Sequence, residues 1–249
     1  MSSYEIEATS TTPALIIYLL DVSLSMNQAL GEKRRVEVVT DALRTALHTM
    51  VFRSTKGTRI SPRYRVAMLA YSTHVYDLLD GIKTINEIAQ LGVPALSPMR
   101  TTETAKAFEE AERILQTELP NLQNCPAPLV CHLTDGENTG DDPEPIVRRI
   151  MQMSVPDGNV LVENIFISEG LLPHPITDPL SWPGILPTTK FNNAYAQKLQ
   201  ALSSPLPSSY RKMMLEMGYA MSPDALMMLP CTDPQLVQLG FQMSAATDA

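Results

Sequence analysis

Short apolar runs alternate with helical patterns along this chain of 249 residues, and this alternation restricts the folds that it can adopt. The first run, Ala14–Leu20, is uncharged throughout, and similar strand patterns cover residues 64–71 and 128–133. Short runs of this kind are typical of strands that are buried on both faces of a parallel sheet. The sequence therefore predicts an α/β fold that is doubly wound, with a mostly parallel sheet and helices on both faces.

Other elements follow from spacing and turn chemistry. Residues 32–52 are predicted to form an amphipathic helix, because apolar side chains recur there at helical spacing. Residues 74–79 are expected to add one antiparallel edge strand, and residues 225–229 to form the last strand. Asp233 and Pro234 then provide an N-cap and a first helical residue for a terminal helix.

The length and the 44% hydrophobic composition suit one substantial core, so we expect residues 1–249 to form a single domain. Residues 170–222 interrupt the alternation, are rich in proline and contain Trp182, the single tryptophan of the chain. Helical patterns at about residues 190–202 and 208–218 predict an ordered insertion before the last strand.

The net charge of −8 argues against nucleic acid as a partner, because phosphate binding needs clustered cations. Residues 53–65 differ from the rest of this acidic chain, because they contain five cations and no acid. Two interpretations stay open for this segment: a solvated loop between a helix and a strand, or a docking surface for an acidic partner.

Several features predict a cytoplasmic protein without membrane contact. Residues 1–12 lack the positive region of a signal peptide, and no apolar stretch approaches the length of a membrane span. The three cysteines, Cys125, Cys131 and Cys231, have no metal-ligand spacing and suit a reducing compartment.

Polar side chains follow two of the apolar runs directly. Asp21, Ser23 and Ser25 come after the first run, and Thr134 and Asp135 come after the third. Carboxylate and hydroxyl oxygens suit hard divalent cations, and ligands collect at the carboxyl ends of strands in open α/β sheets. Either motif alone could also be turn or helix-cap chemistry. Together they predict a divalent-metal site.

With a threonine before the next long helix, these motifs resemble the von Willebrand factor A domain. In that family three loops form a metal-ion-dependent adhesion site. The resemblance implies that Ser23, Ser25 and Thr102 bind the metal through hydroxyl oxygens. It also implies that Asp21 and Asp135 act directly or through water. Mg²⁺ is the implied ion, with Mn²⁺ or Ca²⁺ as alternatives.

The threonine loop departs from the family pattern. Residues 99–105 take the place of the usual Gly-Gly-Thr, and alignment onto the following helix favours Thr102 over Thr101 as the ligand. Arg100 is expected to lie close to the metal or to steer an incoming acid.

The resemblance implies a non-catalytic protein-interaction module, in which a partner carboxylate completes the metal coordination. The enzymatic alternative is a metal-dependent phosphohydrolase with a nucleophilic aspartate. Such an enzyme needs a second acid two residues after the first, where this chain has Ser23, which cannot donate a proton at neutral pH. The chain also lacks a Gly-x-Ser-x-Gly elbow and a phosphate-binding glycine loop.

Residues 199–207 and 240–247 resemble stand-alone bacterial proteins of the tellurium-resistance type. Such relatives are often encoded beside a protein phosphatase and a Ser/Thr kinase, which implies one of these as a partner in signalling or stress response. The alternative is a subunit that works with an AAA+ ATPase.

Overall fold

The computed structural model describes residues 4–99, 102–137 and 139–246. The strands are β1 (Ala14–Asp21), β2 (Ala29–Leu30), β3 (Lys33–Arg34), β4 (Thr55–Lys56), β5 (Arg59–Ile60), β6 (Tyr64–Tyr71), β7 (Val75–Asp77), β8 (Lys83–Thr84), β9 (Leu129–Thr134), β10 (Ser154–Val155), β11 (Gly158–Asn159), β12 (Leu161–Ile167) and β13 (Met228–Cys231). The helices are α1 (Arg35–Ser54), α2 (Ile85–Leu91), α3 (Thr104–Glu118), α4 (Glu144–Ile150), α5 (Ala194–Ala201), α6 (Ser208–Glu216) and α7 (Pro234–Ser244).

The central sheet has the strand order β13-β12-β9-β1-β6-β7. All its pairs up to β6 are parallel, whereas β7 and β8 each pair antiparallel with β6. The predicted mostly parallel sheet with an antiparallel edge is therefore confirmed. β1 lies between β9 and β6, so the loops that follow β1 and β9 are neighbours at one edge of the sheet.

Helices cover both faces of this sheet, as predicted, and alternate side chains of β1 pack into the two layers. Tyr18 and Leu20 belong to the core that includes α1 and α7. Ile17 and Leu19 belong to the core that includes α3 and α4. Every residue of β1 is buried, which explains why its sequence shows no polar alternation.

The proline-rich segment at residues 170–222 contains α5 and α6 and packs at the β12–β13 side of the sheet. Its aromatic side chains Phe191 and Tyr195 form a small third core with Phe166 of β12. The backbone N–H of Ser204 donates to the Val162 carbonyl over 2.9 Å, which ties the end of this segment to the sheet. Within the described residues, no helix is both long and apolar enough to span a membrane.

Several predicted boundaries differ from the structure, and two of the differences have a clear physical reason. The first helix begins at Arg35 rather than near residue 32, because residues 29–34 form the β2–β3 hairpin. Gly31 takes a φ of 65° in that hairpin, a conformation that glycine adopts without steric cost.

The last strand is β13 rather than residues 225–229. Leu226 forms isolated antiparallel bridges to Ile185 and Pro205 of the preceding segment instead of joining the sheet. Pro230 lies within the strand and lacks an N–H, which an edge strand tolerates and a central strand does not.

Candidate metal centre

The loop after β1 turns sharply and presents both serines at the edge of the sheet. The Asp21 carboxylate accepts a hydrogen bond from the Ser23 backbone N–H over 2.7 Å, and a 3₁₀ turn follows at Leu24–Asn27. Within that turn the Met26 N–H donates to the Ser23 carbonyl over 3.0 Å. These local bonds fix the path of the loop without using either serine hydroxyl.

Three side-chain oxygens from two loops converge there. Ser25 Oγ donates to Asp135 Oδ1 over 2.6 Å. Ser23 Oγ lies 2.9 Å from Ser25 Oγ and 3.4 Å from Asp135 Oδ1. Neighbouring ligand oxygens in an octahedral Mg²⁺ site, at 2.0–2.1 Å from the ion, lie about 2.9 Å apart. The three oxygens are therefore spaced like one triangular face of such a site, and the residues fit the ion.

Asp21 lies beside this triangle and is fully buried. One of its oxygens accepts from the Ser23 N–H, and the other accepts from the Thr134 hydroxyl over 2.7 Å. Burial raises the pKa of Asp21 to about 6, because desolvation penalises the charged carboxylate. The structure thus gives Asp21 hydrogen-bond partners on both oxygens, and Thr134 of the second motif is one of them.

Arg35, the first residue of α1, makes an ion pair with the second oxygen of Asp135. The Nη1–Oδ2 distance is 2.9 Å, and the two side chains are 12% and 0% exposed. Sequence reasoning missed this residue. No local pattern could have found it, since the two partners lie 100 positions apart in the sequence.

Thr102 is buried in the loop before α3. Its backbone N–H donates to Thr139 Oγ1 over 3.3 Å, and the Thr139 N–H donates back to the Thr102 carbonyl over 3.0 Å. These bonds join the threonine loop to the loop that follows Asp135. A metal-ligand role for the Thr102 hydroxyl stays a prediction, and Thr101 and Arg100 lie outside the described residues.

Among the described residues, this centre has two carboxylates, those of Asp21 and Asp135. Across residues 4–99, 102–137 and 139–246, no group of three or more His, Cys, Asp or Glu side chains is placed to hold a metal. An ion here would depend on hydroxyl oxygens as much as on carboxylates, which favours a hard cation over zinc-like ions.

A buried hydrogen-bonded chain runs across the sheet next to this centre. Tyr71, the register partner of Asp21, contacts His132 Nε2 through its hydroxyl over 2.7 Å. His132 Nδ1 lies 2.8 Å from Asn164 Oδ1, and the Asn164 amide donates to Ser203 Oγ over 2.9 Å. Burial lowers the pKa of His132 to about 4, so the ring is neutral at physiological pH. Both ring nitrogens are engaged, which leaves this histidine no lone pair for general-base chemistry.

Residues 16–137 match the family model described as von Willebrand factor type A domain. The matched region includes the β1 loop and Asp135. The chain contains a von Willebrand factor A domain.

Solved structures are similar to parts of this chain at low sequence identity. The D319A mutant of the PilB minor pilin from Streptococcus sanguinis is 12% identical, over 92% of this chain and 60% of the pilin, with a TM-score of 0.52. The vWF domain of the type V pili tip protein Mfa5 from Porphyromonas gingivalis is 20% identical, over 51% of this chain and 39% of that one, with a TM-score of 0.40. Proximal thread matrix protein 1 from the mussel byssus, with a zinc-occupied MIDAS motif, is 16% identical over 66% of this chain and 38% of its own, with a TM-score of 0.45. The chain thus spans about two fifths of the Mfa5 and byssus chains, at 39% and 38%. No curated protein matches the chain.

For this von Willebrand factor A domain, the structure brings together four of the five residues predicted from sequence. Ser23, Ser25 and Asp135 share the triangle, and Asp21 supports it through the Ser23 N–H. Thr102 reaches the same group of loops through its backbone.

Proposed function

We propose that this von Willebrand factor A domain is a non-catalytic, metal-dependent protein-interaction module. Ser23, Ser25 and Asp135 hold a divalent cation, with Asp21 and Thr102 as further ligands, directly or through water. The observation that carries the proposal is the triangle of oxygens with edges of 2.6, 2.9 and 3.4 Å.

Mg²⁺ is the proposed ion, with Mn²⁺ as the closest substitute, because the donors are all oxygens and only two carry charge. When bound, the cation would supply a positive charge that attracts an anionic oxygen, such as the carboxylate of a partner's Asp or Glu. The chain itself positions the ligands and leaves the outer side of the loop accessible, since Ser25 is only partly buried.

The rim of the site also supports an interaction role. Leu24, between the two serines, is 59% exposed and is one of few large apolar side chains that face solvent among the described residues. An exposed leucine beside a charged site gives a partner an apolar contact to cover. The proposed partner therefore presents an acidic residue next to an apolar one.

Two contacts support the absence of catalysis. Both serines at the site bond to Asp135 or to each other, so no histidine activates either as a nucleophile there. His132 is buried, and its two ring nitrogens contact Tyr71 and Asn164 rather than either serine.

A Ser/Thr kinase or a phosphatase in a bacterial signalling system is the proposed partner class, with an AAA+ ATPase as the alternative. The support is the resemblance of residues 199–207 and 240–247 to proteins of the tellurium-resistance type. Most side chains of these two segments are buried, so this likeness bears on packing as well as on partners. A cytoplasmic location is part of the same proposal.

Removing the Ser25 hydroxyl tests the metal site. Calorimetric titration with Mg²⁺ or Mn²⁺ is expected to show at least roughly tenfold weaker binding to Ser25→Ala, since about 1.4 kcal/mol of ligand energy is lost. The matched control is Ser181→Ala, because Ser181 Oγ also donates to an aspartate, Asp178, over 2.7 Å, on an exposed loop. Equal affinities for Ser25→Ala and wild type, or no metal heat from either, would contradict the proposal.

Chelation tests the mode of partner binding. A partner isolated with the purified domain in Mg²⁺ is expected to be released by EDTA and to rebind when Mg²⁺ is restored. Mass spectrometry of the released protein then separates a kinase or phosphatase from an ATPase. Retention in EDTA would show that the metal does not mediate the contact.

A further inference from the structure

The positively charged side chain of Arg35 lies next to Asp135, one of the proposed metal ligands. Arg35 Nη1 is 2.9 Å from Asp135 Oδ2, and the arginine side chain is 12% exposed. The Arg35 backbone N–H donates to the Gln28 carbonyl over 2.9 Å, which anchors the residue at the end of the metal loop. The preceding residue, Arg34, instead pairs at the surface with Glu37, where the two side chains are 53% and 47% exposed.

Asp135 divides its two oxygens between different partners. Oδ1 accepts from Ser25 at 2.6 Å, on the side of the oxygen triangle, and Oδ2 faces Arg35. A cation bound at the triangle therefore meets Oδ1 without having to displace the guanidinium. Arg35 and the metal would share one carboxylate, as two cations on the same buried anion.

We propose that Arg35 acts as a built-in counter-ion for Asp135 and lowers the affinity of the site for divalent metal. This inference rests on the proposed function, because it concerns the same site. The guanidinium stays charged at all physiological pH values, so its repulsion of a second cation is permanent. It also pairs with a carboxylate whose side chain has no exposed surface, which offsets the cost of burying that charge.

The charge of the loaded site follows from this arrangement. Asp21 and Asp135 balance a divalent ion, and Arg35 then leaves one positive charge in excess. A neutral carbonyl cannot compensate that charge, whereas a carboxylate can. Arg35 therefore biases the loaded site towards an anionic ligand.

Calorimetric titration with Mn²⁺ on three proteins tests the role of Arg35. Arg35→Gln is expected to bind Mn²⁺ about tenfold more tightly than wild type, because one nearby charge is removed. The matched control is Arg34→Gln, which removes the same charge one residue away without touching Asp135. It is expected to stay within about twofold of wild type, as for a screened surface charge.

Thermal melts provide a second measurement that does not depend on calorimetry. Arg35→Gln leaves the Asp135 carboxylate without its cation, so its melting temperature is expected to fall without metal and to rise more than that of wild type when Mn²⁺ is added. Arg35→Met, which keeps the apolar stem, is a second uncharged variant should the glutamine variant fail to fold. Failure of both to fold even with Mn²⁺ would overturn the proposal.

The outcomes separate this inference from the function on which it rests. If wild type binds Mn²⁺ and Arg35→Gln binds equally or more weakly, Arg35 only positions Asp135 and the counter-ion role is wrong. If wild type, Arg34→Gln and Arg35→Gln all bind none, the metal site itself is wrong. Binding by Arg35→Gln alone would support the counter-ion role of Arg35 and contradict metal binding by the wild-type site.

Discussion

Replacing Glu163 with glutamine is expected to flatten the dependence of stability on pH, by up to about 1.4 kcal/mol per pH unit wherever the folded carboxyl keeps its proton and the unfolded one does not. Glu163 lies in the middle of β12, fully buried and opposite Cys131 of β9. Neither of its carboxyl oxygens accepts a hydrogen bond within the described part of the chain. Burial raises the pKa of Glu163 well above its usual 4.5, because the charged form would be desolvated and the neighbouring Cys131 thiol offsets only part of that cost.

The direction follows from proton binding. Between the ordinary pKa and the raised pKa of the folded state, the folded protein holds a proton on Glu163 that the unfolded chain releases, so stability falls as the pH rises. The contribution of the neutral carboxyl is fully present below about 4.5, the ordinary value, and is lost as the pH rises towards the folded pKa. Glutamine has no such proton to hold.

Urea unfolding at several pH values measures the effect. The control is Glu109→Gln, because Glu109 is exposed on α3. Its stability curve is expected to run parallel to that of wild type, within about 0.5 kcal/mol. Parallel curves for Glu163→Gln and wild type would show that the buried carboxyl is not protonated in the folded protein.

Replacing Asn164 with leucine is expected to destabilise the fold by about 3–5 kcal/mol. The side chain bonds His132 through its oxygen, and its amide donates to Ser203 Oγ and to the Leu202 carbonyl, over 2.9 and 3.2 Å. Leucine would remove this partner from the His132 ring nitrogen and from the Leu202 carbonyl in a buried site, whereas Ser203 Oγ keeps its bond to the Leu199 carbonyl. Each unsatisfied group costs about 1–3 kcal/mol.

Chemical denaturation of single and double variants measures this coupling. Adding His132→Phe to Asn164→Leu is expected to recover part of the loss, because the histidine N–H is then no longer stranded. Asn192→Leu is the matched control, since Asn192 is exposed and donates to a loop carbonyl. A loss for Asn164→Leu no larger than for this control would mean that the network contributes little.

The central strands were predictable from sequence because a strand that is buried on both faces has an almost continuously apolar sequence. β1 and β6 were recovered almost to the residue, since each is an apolar run bounded by polar or turn residues. The position of the site was also predictable, because the carboxyl ends of β1 and β9 are neighbours in the parallel sheet. This adjacency is why Ser25 and Asp135 meet as expected.

Other features depend on contacts that no local pattern encodes. The last strand was misplaced because Leu226 is as apolar as Leu229, and only the bridge to Ile185 decides which one joins the sheet. Glu163 and Asn164 lie within the buried strand β12 although both are polar. As consecutive residues of a strand, their side chains lie on opposite faces of the sheet. The role of Arg35 could not be predicted for the same reason, since its partner Asp135 is distant in sequence.

The two ends of the sheet limit how this protein can associate. At one end β13 has four residues and contains Pro230, and at the other β6 is covered by two short strands, β7 and β8. Within the described residues, neither end offers a long row of free backbone groups on which another chain could add a strand. Short, proline-containing or covered edges of this kind disfavour edge-to-edge pairing between copies. We therefore expect a partner to engage side chains rather than a sheet edge, so that a single substitution at the surface changes the choice of partner without disturbing the fold.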